Sequence, residues 1–144
     1  MKLNQRIGQW LALRQALLVQ LCDMNAPTKK RKQTPSRKQR DDFFQLLLDY
    51  ICAGHFEIYH HLISDIEQNA SVHKHVAHSS LMRIQKSTDL TVLLNDKYDL
   101  LPKVPHDQWC RDLSELAESL AERFELEDLM IEHSHEVKHP SKMA

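Results

Sequence analysis

Between Asp41 and Ile66 the chain runs for 26 residues without a proline, and its apolar residues fall at helical intervals. At about 100° per residue, Phe44, Leu47, Leu48, Ile51, Ile58, Leu62 and Ile66 gather on one face, as an amphipathic helix packed against a core requires. The same stretch holds three of the four phenylalanines and two of the three tyrosines. Its opposite face carries Asp42, Asp49, Phe56 and His60, the first three spaced seven apart and therefore stacked along the axis. A phenylalanine among acids on a solvent face does nothing for folding, so it asks for a partner. This projection runs the helix straight through Gly54, at a cost of about 1 kcal/mol relative to Ala.

The rest of the chain repeats the pattern. With 2 glycines and 5 prolines in 144 residues, turns are few, and the spacing of apolar residues is helical rather than alternating. The expected class is all-α, as one helical-bundle domain over 1–144. The first helix is placed at about Leu3 to Cys22, with Leu3, Ile7, Trp10, Leu17 and Leu21 as its stripe and Arg14 in the same sector; Asn25, Ala26 and Pro27 end it. The second starts near Asp41, whose acids suit the helix dipole, and reaches about Gln68. A third, less apolar one covers about Val72 to Asp96, with Leu81, Ile84, Thr88 and Val92 as its stripe. Lys97 to Pro105 is a turn or irregular crossing. The fourth runs from His106–Asp107 to about His133 on Trp109, Leu113, Leu116, Leu120, Phe124 and Ile131. The tail 134–144 is polar. Four long helices with short or polar links give an antiparallel four-helix bundle with short accessory helices or loops.

Charge is unevenly distributed. Lys29, Lys30, Arg31, Lys32, Arg37, Lys38 and Arg40 lie in a segment free of acids, read as a mobile basic loop at about 27–40. Setting those seven aside leaves twelve basic residues against twenty acids, about −8 for the body. A solvated loop is the plain reading of such a run; contact with nucleic acid is the alternative, without the interleaved aromatics of a single-strand binder. Cys22, Cys52 and Cys110 are odd in number and widely spaced, which suggests reduced thiols in a cytosolic protein. Neither a signal peptide nor a membrane span is expected, so the chain is read as cytoplasmic.

Two further ionisable residues break the stripes as Arg14 does: His55 in the second helix and Glu127 in the fourth. An unpaired buried charge costs several kcal/mol, so Arg14, His55 and Glu127 are expected to meet inside the bundle. Metal chemistry is a poor fit. Glu57-x-x-His60, Glu132-x-x-His135 and Glu136-x-x-His139 match half of a di-iron pattern, but the first helix offers no acid before Asp23. His73, His75, His78, His133 and His135 have no cysteine nearby to close a zinc site. No cysteine-nucleophile signature or Gly-rich phosphate loop is present. No enzyme and no cofactor is expected. From the residues alone, the chain is an acidic helical module that binds a basic protein surface through an aromatic flanked by carboxylates.

Asp41-Asp42-Phe43 followed by Leu48-Asp49-Tyr50-Ile51-Cys52-Ala53-Gly54-His55-Phe56-Glu57-Ile58-Tyr59 resembles the signature of the regulator of sigma D (Rsd)/AlgQ family. Trp10-Leu11-Ala12-Leu13-Arg14 resembles that family's first bundle helix, and Leu120-Ala121-Glu122-Arg123-Phe124-Glu125-Leu126-Glu127-Asp128 its last. The resemblance implies a bacterial anti-sigma factor with a four-helix bundle. Its implied partner is the C-terminal, −35-recognising domain of the primary sigma factor, sequestered from core RNA polymerase and from promoter DNA. By position, Asp49 and Phe56 match family residues implicated in sigma binding. Asp42 and His60 join them by geometry, with Tyr50 and Glu57 as flanking members; His55 and Glu127 are read as internal. The alternatives are an adaptor for other regulatory proteins and nucleic-acid contact through the basic loop.

Overall fold

The structure, a computed structural model, describes residues 2–25, 34–68 and 74–134. Lys29, Lys30, Arg31, Lys32, His73, His135, Glu136 and His139 lie outside the described residues, as does the tail beyond Ser134. The elements are α1 (Leu3–Asn25), α2 (Arg37–Ala53), a π-helical turn (Gly54–Ile58), α3 (Tyr59–Gln68), α4 (Lys74–Asp99) and α5 (His106–His133). The residues flanking the π turn, Ala53 and Tyr59, keep right-handed helical torsions, so α2, the π turn and α3 form one continuous rod. Four rods make an all-α bundle. Contacts run in opposite senses along the α4–α5 pair, with Tyr98 meeting Asp112 and Arg83 meeting Glu122. They do so again along α3–α4, with Glu67 meeting His78 and His55 meeting Thr88.

The stripes of α1 and α5 lie where the apolar spacing puts them. Ile7, Trp10, Leu17 and Leu21 are buried from α1, and Trp109, Leu113, Leu116, Leu120 and Ile131 from α5. From α2 the core takes Phe43, Phe44, Leu47, Tyr50 and Ile51, from the π turn Ile58, and from α3 Tyr59, Leu62 and Ile66. Tyr98 and Trp109 pack edge to face across the α4–α5 link, at 4.9 Å between ring centres.

Three expectations need correction. α2 begins at Arg37, not Asp41. Ser36 caps it, accepting from the Gln39 backbone N–H at 3.2 Å, while Gln39 Oε1 accepts from the Ser36 N–H at 2.8 Å. This capping box satisfies two otherwise orphaned donors, and its Ser-x-x-Gln pattern was available in the sequence. Arg37, Lys38 and Arg40 therefore belong to the bundle and not to a loop. Arg40 is buried and donates to the carbonyls of Pro35 and Leu101, and Arg37 pairs with Asp41 and Asp99 at 3.8 Å each.

The second correction concerns α4, whose inner face carries Ala77, Ser80, Ile84, Ser87, Thr91, Leu94 and Tyr98, while Val92 is exposed. Ser87 and Thr91 return their hydroxyls to the backbone carbonyls of Ile84 and Ser87, at 2.7 Å each, which lets small polar residues be buried without orphaned groups. The third is the π turn, where the spacing predicts an uninterrupted α-helix.

The π turn explains the glycine. A Cβ on Gly54 would lie 3.0 Å from Tyr59 Cζ, 3.1 Å from its hydroxyl and 3.3 Å from Trp10 Cζ2. Gly54→Ala in a helix normally gains about 1 kcal/mol; here the overpacking, about 1–3 kcal/mol, outweighs it. Gly8 has nothing within 4 Å of the equivalent position. In chemical denaturation, Gly8→Ala is expected to raise stability by about 0.5–1 kcal/mol and Gly54→Ala to lower it. Equal shifts of the same sign in the two variants would contradict this account.

Candidate functional site

Phe56 sits in the middle of the π turn and is 78 % exposed, the most exposed aromatic among the described residues. Asp42, Asp49, Glu57 and His60 are exposed on the same rod. Asp49 accepts from Gln45 Nε2 at 2.9 Å, and the rings of His60 and His61 stack at 3.9 Å. The π turn holds one residue more than an α turn, so it moves the register on by one. Glu57 consequently takes the place in line with Asp42 and Asp49 that regular spacing assigns to Phe56. Phe56 moves to the side, toward His60. The site is a row of acids with an aromatic beside it, not a single column.

Tyr50 is not on this face. It is fully buried, stacked on Trp10 with ring centres 5.0 Å apart and planes 5° from parallel. Its hydroxyl donates to Glu127 Oε1, and it accepts from Arg14 Nε at 3.0 Å. Its place beside Asp49 in the chain suggests a flanking member of the face, but one residue turns an α-helix by about 100°, which carries Tyr50 into the core.

Beneath the face lies a hydrogen-bonded network centred on Glu127, which has no exposed side-chain surface. Arg14 Nη2 donates to Glu127 Oε1 at 3.2 Å and Arg14 Nη1 to Asp128 Oδ1 at 2.7 Å. Tyr59 donates to Glu127 Oε2, and Arg123 Nε approaches the same oxygen at 3.3 Å. Arg123 was missed from the sequence, although it is buried and donates to Tyr59 (2.9 Å), Ser87 (3.0 Å) and Thr88 (2.8 Å). The available signal was an Arg–Glu pair four residues apart, both inside the apolar stripe of α5. His55 does not reach Glu127. Its Nε2 lies 3.2 Å from Thr88 Oγ1, and its ring meets Tyr59 edge-on at 4.9 Å. Glu127 therefore collects Arg14, Arg123, Tyr50 and Tyr59, while His55 joins at one remove through Thr88 and Arg123.

Burial dominates the titration of this network. It pushes the Glu127 carboxyl up, against the pull of Arg123, Tyr50, Tyr59 and Arg14, so the ionised form depends on all four donors. Burial and the Glu127 charge push the Tyr50 and Tyr59 hydroxyls up, which keeps them donors. The His55 imidazole is pushed down, first by burial and then by the Arg123 charge.

A shallow groove of about 440 Å³ between α3 and α4 is lined by His55, Tyr59, His60, Ile63, Ser64, Glu67 and Leu81. Among the described residues no three His, Cys, Asp or Glu side chains come together as metal ligands would, and no helix is long and apolar enough to cross a membrane. Cys22, Cys52 and Cys110 are exposed free thiols.

Fold and site together define a helical-bundle protein with an acidic, aromatic-bearing outer face over a closed polar core. The family described as regulator of RNA polymerase sigma(70) subunit, Rsd/AlgQ, matches residues 1–135. The chain is 30 % identical to a protein named regulator of sigma D from Yersinia pseudotuberculosis, over 98 % of this chain and 86 % of that one. It is 32 % identical to proteins of the same name from Shigella dysenteriae and Escherichia coli, in each case over 96 % of this chain and 90 % of the relative. No solved structure gives a match. The chain belongs to the Rsd/AlgQ family.

Two outcomes are expected from the network. Glu127→Ala leaves the buried Arg123 and the half-buried Arg14 without their shared carboxylate and should cost about 3–5 kcal/mol in denaturation, as for other broken buried pairs; a loss below about 1 kcal/mol would show the pairs to be unimportant. For His55, the unfolded chain titrates near pH 6.5 and the folded one lower, so the unfolded state binds more protons at and below that pH. Stability is complete above about pH 6.5 and falls on acidification toward and through the depressed value. Thermal unfolding at about pH 7.5 and about pH 5.5 should reveal a larger acid loss in the wild type than in His55→Gln.

Proposed function

We propose that this chain is a stoichiometric, non-catalytic anti-sigma factor. It binds the C-terminal, −35-recognising domain of the primary sigma factor and keeps it from core RNA polymerase and promoter DNA in the cytoplasm. The observation that carries the proposal is Phe56, 78 % exposed on a rod whose other face is core, with Asp42, Asp49 and Glu57 alongside. Family membership supports a sigma factor as the partner. A helix-turn-helix domain presents a basic recognition helix to DNA phosphate. A row of carboxylates competes for that helix electrostatically and steers the encounter, while a desolvated ring supplies contact energy that phosphate cannot. Asp42, Asp49, Phe56, Glu57 and His60 form the proposed contact surface; Tyr50 supports it from inside.

Titrating the chain with the purified sigma domain tests this directly. Phe56→Ala should weaken binding by about 1–3 kcal/mol, as interface anchors do. Asp49→Ala should slow association and flatten its salt dependence, as lost steering charges do. Neutralising Lys29, Lys30, Arg31 and Lys32 should leave sigma binding intact. Loss of binding in that variant, with Phe56→Ala at wild-type affinity, would move the interface to the basic segment.

A further inference from the structure

Tyr50 and Tyr59 are nine residues apart, which in a regular α-helix places them about 180° apart, on opposite faces. Yet both hydroxyls donate to the same carboxylate, Tyr50 to Glu127 Oε1 and Tyr59 to Oε2. The extra residue in the turn Gly54–Ile58 is what brings the second tyrosine round. The turn that makes the buried network possible is therefore also the turn that carries Phe56 and Glu57 outward. Gly54 and Ile58 are buried on its inner side, a Cβ on Gly54 would meet the Tyr59 and Trp10 rings, and the Tyr59 hydroxyl is pinned by Glu127 and Arg123. His55, the residue before Phe56, is tied across to α4 through Thr88 Oγ1 at 3.2 Å. Thr88 Oγ1 is fixed in turn by Arg123 Nη1 at 2.8 Å. A continuous chain of bonds thus runs from the buried Glu127 through Arg123 and Thr88 to His55, and ends one residue from the exposed ring.

We infer that Thr88 and His55 are positioning residues: the Glu127–Arg123–Thr88–His55 chain holds the outer side of the π turn and thereby sets the direction in which Phe56 is presented to the partner. The inference rests on Phe56 being an anchor for the sigma domain. π turns recur at functional sites because the extra residue stores an arrangement that a relaxed helix abandons. Without the tie to α4, the core still holds Ile58 and Tyr59, but the outer side of the turn loses the bond nearest Phe56 and the ring samples a wider range of directions. Binding then bears the cost of fixing it.

Thr88→Val tests this, because it keeps the side chain's shape and removes only the hydroxyl. Arg123 Nη1 keeps its bond to Ser87 Oγ at 3.0 Å and loses one of its two partners. Thr88→Ser retains the hydroxyl and serves as the rescue. Affinities of the full chain for the purified sigma domain are measured for Thr88→Val, Thr88→Ser, Phe56→Ala and the double variant Thr88→Val/Phe56→Ala, at a temperature where all are folded. The loss of the His55–Thr88 bond beside Phe56 predicts affinity roughly two- to tenfold weaker for Thr88→Val and near wild type for Thr88→Ser. It also predicts no additional loss when Thr88→Val is added to Phe56→Ala, the non-additivity expected when one residue acts through another. Thr88→Val at wild-type affinity, with Phe56→Ala weakened, overturns the positioning role and leaves the sigma-binding face standing. Additive losses in the double variant overturn it too, by making Thr88 merely structural. Phe56→Ala at wild-type affinity overturns both.

Discussion

The Glu127 carboxylate is the group on which the rest of the structure depends. Four donors converge on it from three rods: Arg14 from α1, Tyr50 and Tyr59 from either side of the π turn, and Arg123 from α5 itself. A buried carboxylate of this kind is stable only when its lone pairs are filled, and the low dielectric that strengthens each bond also penalises any that is missing. The cost of a misplaced rod is thus much larger than the loss of a few apolar contacts. Apolar burial drives the helices together without specifying a unique rotation for each; the Glu127 network adds that specification. Aromatic packing reinforces it, since Trp10 stacks on Tyr50 and donates its Nε1 hydrogen to the Tyr50 carbonyl at 3.1 Å. The Arg14 guanidinium lies over the Phe124 ring at 4.9 Å from its centre.

The two faces of the central rod are joined by this arrangement. Its inner face contributes Tyr50 and Tyr59, and its outer face contributes the acids and Phe56. Both are set by the same five residues of π turn. The polarity of α4 fits the same purpose. Ser87 and Thr88 replace bulkier apolar residues where Arg123 has to find acceptors, so the weakness of its hydrophobic stripe reflects service to the network.

Much of this was legible in the sequence, for identifiable reasons. Helices α1 and α5 have long unbroken stripes, and a 3.6-residue period over six or more turns leaves little freedom in where they point. Arg14 and Glu127 were conspicuous because a charge within an apolar stripe has to be paired. The start of α2 was misplaced because acids near Asp41 were weighed above the Ser36–Gln39 capping box. Tyr50, one residue past Asp49, turns about 100° toward the core, and Arg123 falls in the α5 stripe four residues before Glu127, so regular spacing accounts for both. The π turn itself was not legible: periodicity assumes a constant angle per residue, and that assumption fails inside Gly54–Ile58. Nothing local marks the failure, since the groups that Tyr59 and His55 meet, Glu127 and Thr88, belong to other rods.

The nine-residue interval from Tyr50 to Tyr59 has a consequence for how such chains tolerate changes in length. Elsewhere in a helical protein, the places where residues are gained or lost without harm are loops. Removing one residue from Gly54–Ile58 would restore regular helix there and leave Tyr59, Leu62 and Ile66 facing the core, because eight residues of α-helix end where nine with one extra do. Regular helix with all five residues kept would instead turn everything beyond by about 100° and take those three off the core. The extra residue is therefore tolerated by the inner face and spent on the outer one, where a deletion would remove part of the segment that presents Phe56 and Glu57.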